Sequence, residues 1–117
     1  MRATGFGADE EVGLDIDEAA FWYETEFGAG KQFLDAVEDT FDRLMDNPRT
    51  YDPKRGDVRV ALVWGEQRRS DPTDRGPERK FPYGVYFTVD DGNSVYVWAV
   101  ASLKREPYYW IDRMRRR

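Results

Sequence analysis

The sequence predicts an α+β domain in which an N-terminal antiparallel helical hairpin packs on an antiparallel sheet. Apolar residues recur at a three-four spacing between residues 16 and 46, then alternate in the last third of the chain, and Asn47-Pro48 closes the helical part. With 117 residues the chain is long enough for one core and too short for two, so residues 1–117 are expected to form a single domain.

Residues 1–13 hold Gly5, Gly7, Gly13 and an Asp9-Glu10-Glu11 run, which reads as an irregular lead-in. The first helix is expected to begin near Asp17, whose carboxylate suits the free amides of a first turn, with Ile16 stapling back onto the next one. Ile16, Ala20, Tyr23 and Phe27 form its apolar stripe, and Gly28-Ala29-Gly30 ends it. The second helix runs from Lys31 to Asp46. It places Leu34, Val37, Phe41, Leu44 and Met45 inward, and Asp35, Glu38, Asp39, Asp42 and Asp46 outward. Asn47-Pro48 stops it, because proline cannot supply the next amide. So short a connection makes the two helices antiparallel.

Strands are expected at Val58 to Trp64, Tyr83 to Val89 and Val95 to Ala101, the last two joined by a turn at Asp90-Asp91-Gly92-Asn93. Tyr83, Val85, Phe87 and Val89 share one face of their strand, as do Val95, Val97, Ala99 and Ala101. Tyr83 and Trp98 are expected to pack on the sheet, and Phe81 in the core. Between the first two strands, the arginine- and proline-containing stretch Gly65 to Glu78 reads as an exposed loop.

Composition narrows the chemistry. Cysteine is absent, which fits a reducing cytosol. No apolar run approaches the roughly 20 residues of a membrane span, and the N-terminus lacks a signal-peptide core. A cytoplasmic protein without membrane contact is expected. Histidine is absent too, removing the usual neutral-pH base and the commonest metal ligand. No metal cluster, glycine-rich phosphate loop or nucleophile triad is present in the sequence, so no cofactor is expected. The net charge of −5 hides a division: residues 1–57 hold 15 acidic and 6 basic side chains, and residues 58–117 hold 8 and 12. Such asymmetry either creates a local field for an anionic partner or leaves two plainly solvated faces. The segment leaving the last strand, Lys104-Arg105-Glu106-Pro107-Tyr108-Tyr109-Trp110 with Arg113 behind it, mixes the cations and aromatics that bind phosphate and stack on bases.

In chain order, Trp22-Tyr23, Phe33-Leu34 with Val37, Asn47-Pro48, Arg59, Phe81-Pro82-Tyr83, Arg105-Glu106-Pro107, and Trp110 with Arg113 resemble the RelE/ParE superfamily of toxins. The similarity covers Leu14 to Arg113. Its most specific part is the Phe-Pro-Tyr strand start combined with the Arg-x-Pro and Trp-x-x-Arg tail. The resemblance implies the toxin of a type II toxin-antitoxin pair, with a helical hairpin on a twisted antiparallel sheet of three to four strands. It also implies a hetero-oligomer with a cognate antitoxin, bound in the groove between helices and sheet.

The sequence departs from the family in three places. Its first dozen residues match the opening strand poorly, Gly65 to Glu78 looks like an inserted loop, and Ser102 stands about where many relatives carry a histidine. An acidic helical face suits a basic antitoxin segment, and a sheet edge left open by a missing first strand would invite strand addition.

RelE-type members of the superfamily cut messenger RNA in the ribosome, whereas ParE-type members poison DNA gyrase. Cleavage by a ribose 2′-hydroxyl needs cations at the phosphate and a proton acceptor. If the protein is RelE-like, Arg59, Lys80, Arg105 and Tyr109 are the candidate catalytic residues, with Tyr108 as the other tyrosine. Arg79, Lys104 and Arg113 are candidates for binding the target or a phosphate. Each has a structural alternative. Arg59 can pair with a helix carboxylate, Arg79 and Lys80 can form a solvated edge that discourages aggregation, and Arg105 can pair with Glu106 or Asp112. Trp110 is expected to anchor the C-terminal segment. Arg113, Arg115, Arg116 and Arg117 form either a phosphate-binding tail or a solubilising end.

Cation number sets affinity for ribosomal RNA, and the acidic helical half fits that poorly. The expectation is therefore a ParE-like, non-enzymatic toxin acting on DNA gyrase or another protein. A RelE-like endonuclease acting on ribosome-bound mRNA, and a non-toxic interaction module that keeps the fold, are the alternatives.

Overall fold

The computed structural model describes residues 1–65, 79–105 and 108–115, with residues 64, 65, 79 and 80 described by backbone alone. The elements are β1 (Gly5–Ala8), α1 (Val12–Phe27), α2 (Gly30–Asp46), a 3-10 turn (Pro48–Thr50), β2 (Pro53–Arg55), β3 (Val58–Gly65), β4 (Arg79–Val89), β5 (Ser94–Ser102) and α3 (Asp112–Arg115). One five-stranded sheet has the order β1-β5-β4-β3-β2. The α+β hairpin-on-sheet architecture stands, but the sheet has five strands rather than three to four. It is not wholly antiparallel, because β1 runs parallel to β5. The predicted insertion, apart from Gly65, lies outside the described residues.

Where the sequence predicted an irregular lead-in, residues 5–8 form a strand. The glycines that suggested irregularity are what let this strand approach: a Cβ at Gly5 would meet Ser94 Oγ at 2.8 Å, and one at Gly7 would meet the Tyr96 ring at 2.9 Å. The N-terminus is tied down further by Asn93, whose side-chain amide donates to the Arg2 carbonyl at 3.0 Å. Asn93 itself takes φ +68° in the β4–β5 turn, a conformation asparagine tolerates better than most residues.

Helix α1 starts ahead of Asp17. Asp9, not Asp17, organises the beginning: its carboxylate accepts the Glu11 N–H at 3.0 Å and its carbonyl accepts the Val12 N–H at 3.0 Å. The buried stripe of α1 is Val12, Ala19 and Tyr23, with Ile16 and Ala20 partly covered. Phe27, expected inside, is 62% exposed. Helix α2 buries Phe33, Ala36, Val37, Thr40 and Leu44, whereas Leu34 faces solvent. Its five predicted acidic positions are all exposed.

The helices meet closely at their connection. A Cβ on Gly30 would lie 2.9 Å from the Ala20 carbonyl oxygen and 2.9 Å from Glu24 Cβ, and the Gly30 N–H donates to Glu24 Oε1 at 3.1 Å. Gly30→Ala should therefore destabilise the protein by about 1–3 kcal/mol through overpacking, despite the better helix propensity of alanine. Urea denaturation checks this, and a more stable variant would refute the close-approach argument.

The helix-facing side of the sheet carries Ala61, Val63, Phe81, Val85, Phe87, Val95, Val97 and Val100. The predicted face of β4 is observed, with Tyr83 and Val89 packed at its margins. In β5 the phase breaks: Phe87 pairs with Val97 but Tyr86 pairs with Ala99, leaving Trp98 as an extra residue. That bulge sends Ala99 and Ala101 to the opposite face, where they join Val58, Tyr86, Trp98 and Trp110 in a second apolar cluster. The C-terminal segment covers this face, and Trp110 anchors it as expected, with its ring 5.0 Å from Tyr86. Among the described residues no helix is long and apolar enough to cross a membrane.

Candidate functional site

The end of α1 and the ends of β4 and β5 enclose a cleft of about 540 Å³. Its helical wall is Trp22, Tyr23 and Phe27, and its sheet wall is Phe81, Pro82 and Tyr83. Ser102, Lys104 and Arg105 form the rim. Local hydrogen bonds set that rim: the Leu103 N–H donates to the Pro82 carbonyl at 2.7 Å, and the Lys104 N–H donates to Ser102 Oγ at 3.1 Å. The walls are interlocked aromatics. Tyr23 stacks on Phe33 at 5.2 Å and meets Phe81 edge-on at 4.8 Å, while Trp22 meets Phe27 edge-on at 5.5 Å. Trp22 is 49% exposed. Trp22 and Phe27 thus leave two rings uncovered beside a cleft, an exposed apolar surface of the kind that partners bind.

Arg105 lies across the junction with a smaller cavity of about 40 Å³, which Ser102, Tyr108, Tyr109 and Trp110 also line. Its guanidinium carbon sits 3.8 Å from the centre of the Tyr109 ring. The alternative pairing of Arg105 with Asp112 does not form, since Asp112 binds Arg115 at 3.0 Å; Glu106 is outside the described residues. The Tyr109 phenol has a raised pKa, chiefly from burial, with Asp15 adding to the shift and Arg105 and Arg113 opposing it. Tyr109 is therefore protonated at neutral pH.

The cleft region gathers Lys104, Arg105 and Tyr109 from the predicted set and leaves two others elsewhere. Arg113, expected in a phosphate-binding tail, is buried. Its guanidinium forms two parallel bonds to Asp15, at 2.7 and 2.9 Å, and donates to the Trp98 carbonyl at 3.1 Å. Asp15 also accepts the Val100 N–H at 3.0 Å. Together with β1, this ion pair closes the β5 edge that the sequence suggested would be open to strand addition. Arg59 donates to the Tyr51 carbonyl rather than pairing with a helix carboxylate. It sits opposite Phe87, four residues along β4 from the Tyr83–Ser102 pair and so roughly 13 Å from it. The backbones of Arg79 and Lys80 open β4, opposite Gly65 and Trp64; their side chains lie outside the described residues.

Trp22 and Phe27 are cleft residues that sequence reasoning did not single out as functional, because helical spacing made Phe27 look internal. Asp15 was missed as the partner of Arg113, and no local signal joins residues 98 positions apart. Among the described residues no group of three His, Cys, Asp or Glu side chains is placed to hold a metal ion.

No curated protein matches the sequence. The sequence model of the family described as the ParE toxin of type II toxin-antitoxin system, parDE, matches residues 11–107. That match spans most of the chain, including helices α1 and α2, the strands β2 to β5 and the cleft, and the chain therefore belongs to the ParE family of type II toxin-antitoxin toxins.

Proposed function

We propose that the protein is a ParE-like toxin that disables an essential protein target such as DNA gyrase in the cytoplasm. A cognate antitoxin, seated in the aromatic cleft, neutralises it as a hetero-oligomer. The observation that supports this reading is that, among the described residues, two of the candidate cations are engaged away from the cleft. Arg113 is consumed by Asp15, and Arg59 is turned to main-chain carbonyls on a distant part of the sheet. An RNA-cleaving site requires several cations converging on one phosphate and a proton acceptor beside them. Lys104, Arg105 and Tyr109 are the observation favouring the nuclease reading, but a protonated phenol whose pKa is raised by partial burial is a poor acceptor.

The reading is tested by induced expression in bacteria, with and without the neighbouring small open reading frame, while growth, protein synthesis and the DNA damage response are followed together. The expected result is arrest with a DNA damage response, continued translation at onset, and rescue by the neighbour. Immediate loss of translation with mRNA cleavage would replace this reading with the nuclease. Unimpaired growth at confirmed soluble expression would leave an inert binding module.

A further inference from the structure

Trp110 is 3% exposed, and its buried Nε1 has no acceptor among the described residues. An indole N–H is a donor only, and when buried it usually finds a partner. Trp98 shows the ordinary arrangement, donating to Thr88 Oγ1 at 3.0 Å. Trp110 lines the cavity of about 40 Å³ together with Arg105, Ser102, Tyr86, Tyr108 and Tyr109. Among the described residues, every polar side chain lining this cavity can donate a hydrogen bond and one is a cation, a donor set that suits an anion. The cavity also shares Arg105 and Ser102 with the larger aromatic cleft.

We propose that cleft and cavity form one two-part site for a protein segment that presents an apolar side chain beside a carboxylate. The apolar side chain packs against Trp22, Phe27 and Tyr83, and the carboxylate is held by Arg105 and Trp110 Nε1. This rests on the cleft being the antitoxin's seat, and it names the chemistry of the contact. The charge distribution makes such a contact selective. The protein carries a net −5, and the exposed faces of its helices are acidic, so an acidic group is repelled over much of the surface and accepted here. A carboxylate anchor would then set the register of a segment whose remaining charges are basic and face the acidic helices.

The test uses ¹⁵N-labelled full-length protein and phenylacetate, which joins an aromatic ring to a carboxylate. Acetate and benzyl alcohol supply the two halves separately. The Trp110 indole N–H resonance should shift saturably with phenylacetate, more weakly with acetate and not with benzyl alcohol. Arg105→Gln should weaken the phenylacetate response about tenfold or more, the loss expected for one charge-assisted hydrogen bond. Arg105 is exposed, so this variant keeps the fold. No saturable shift of the Trp110 indole, a response to benzyl alcohol equal to that of phenylacetate, or an undiminished response in Arg105→Gln would each overturn the proposal. Because the readout does not involve growth, its failure leaves the toxin reading standing. A saturable, Arg105-dependent shift in a protein that causes no arrest would support the site and remove the toxin reading instead.

Discussion

Replacing Arg113 with alanine should destabilise the protein by about 3–5 kcal/mol, a large part of a typical small domain's stability. The guanidinium and the Asp15 carboxylate are each only 10% exposed. Removing the cation leaves that carboxylate with the Val100 N–H as its remaining hydrogen bond among those described, and takes the donor from the Trp98 carbonyl. The loss is larger than the pair's own net contribution, because an unpaired buried charge remains. Asp15→Ala should be similarly damaging, and the double variant less destabilised than the sum of the two, which a double-mutant cycle in urea would measure. Arg115→Ala serves as the contrast. Its bond to Asp112 joins side chains 77% and 78% exposed, so the change should lie within about 0.5 kcal/mol of the parent. If Arg113→Ala stayed within about 1 kcal/mol of the parent, the ion pair would not be what holds the C-terminal segment to the sheet.

Phe33→Ala should cost about 3–5 kcal/mol. Its ring is fully buried and lies 5.2 Å from Tyr23, 5.4 Å from Phe81 and 5.2 Å from Tyr83. The loss combines burial of a large ring with a cavity that three neighbouring rings cannot fill without leaving their own contacts. Because those three rings wall the cleft, partner affinity should fall with stability. Phe27→Ala separates the two effects. With Phe27 62% exposed, its removal should change stability by about 0.5 kcal/mol or less while weakening antitoxin binding. Equal stability losses for the two variants would mean that Phe27 belongs to the core, and an unchanged binding constant for Phe27→Ala would move the partner away from this cleft.

Much of the fold is written in short-range patterns, and those patterns were readable. The helical hairpin, its exposed acids, the proline stop, the inward face of β4 and the β4–β5 turn all follow from residues within a few positions of one another. Lys104, Arg105 and Tyr109 were legible as a group for the same reason: they are neighbours in the chain at the end of one strand. The family resemblance was visible as an ordered set of local motifs. What the sequence determined by itself was therefore the type and order of most elements and the chemical character of the segment that leaves the sheet.

Tertiary structure decided the rest, because each remaining feature depends on groups far apart in the chain. Gly5 and Gly7 look like strand breakers until Ser94 and Tyr96 fill the space their missing side chains leave. The bulge at Trp98 reverses the facing of Ala99 and Ala101, and alternation along β5 alone cannot reveal an extra residue relative to β4. Helical spacing assigns Phe27 to the buried stripe, yet it stands on the wall of an open cleft and is 62% exposed. A terminal arginine resembles a solvated or phosphate-binding cation until Asp15 stands opposite it in a water-poor site. Periodicity reports which face of an element is apolar, but only chain closure determines which groups meet there and what charge they leave open to a partner.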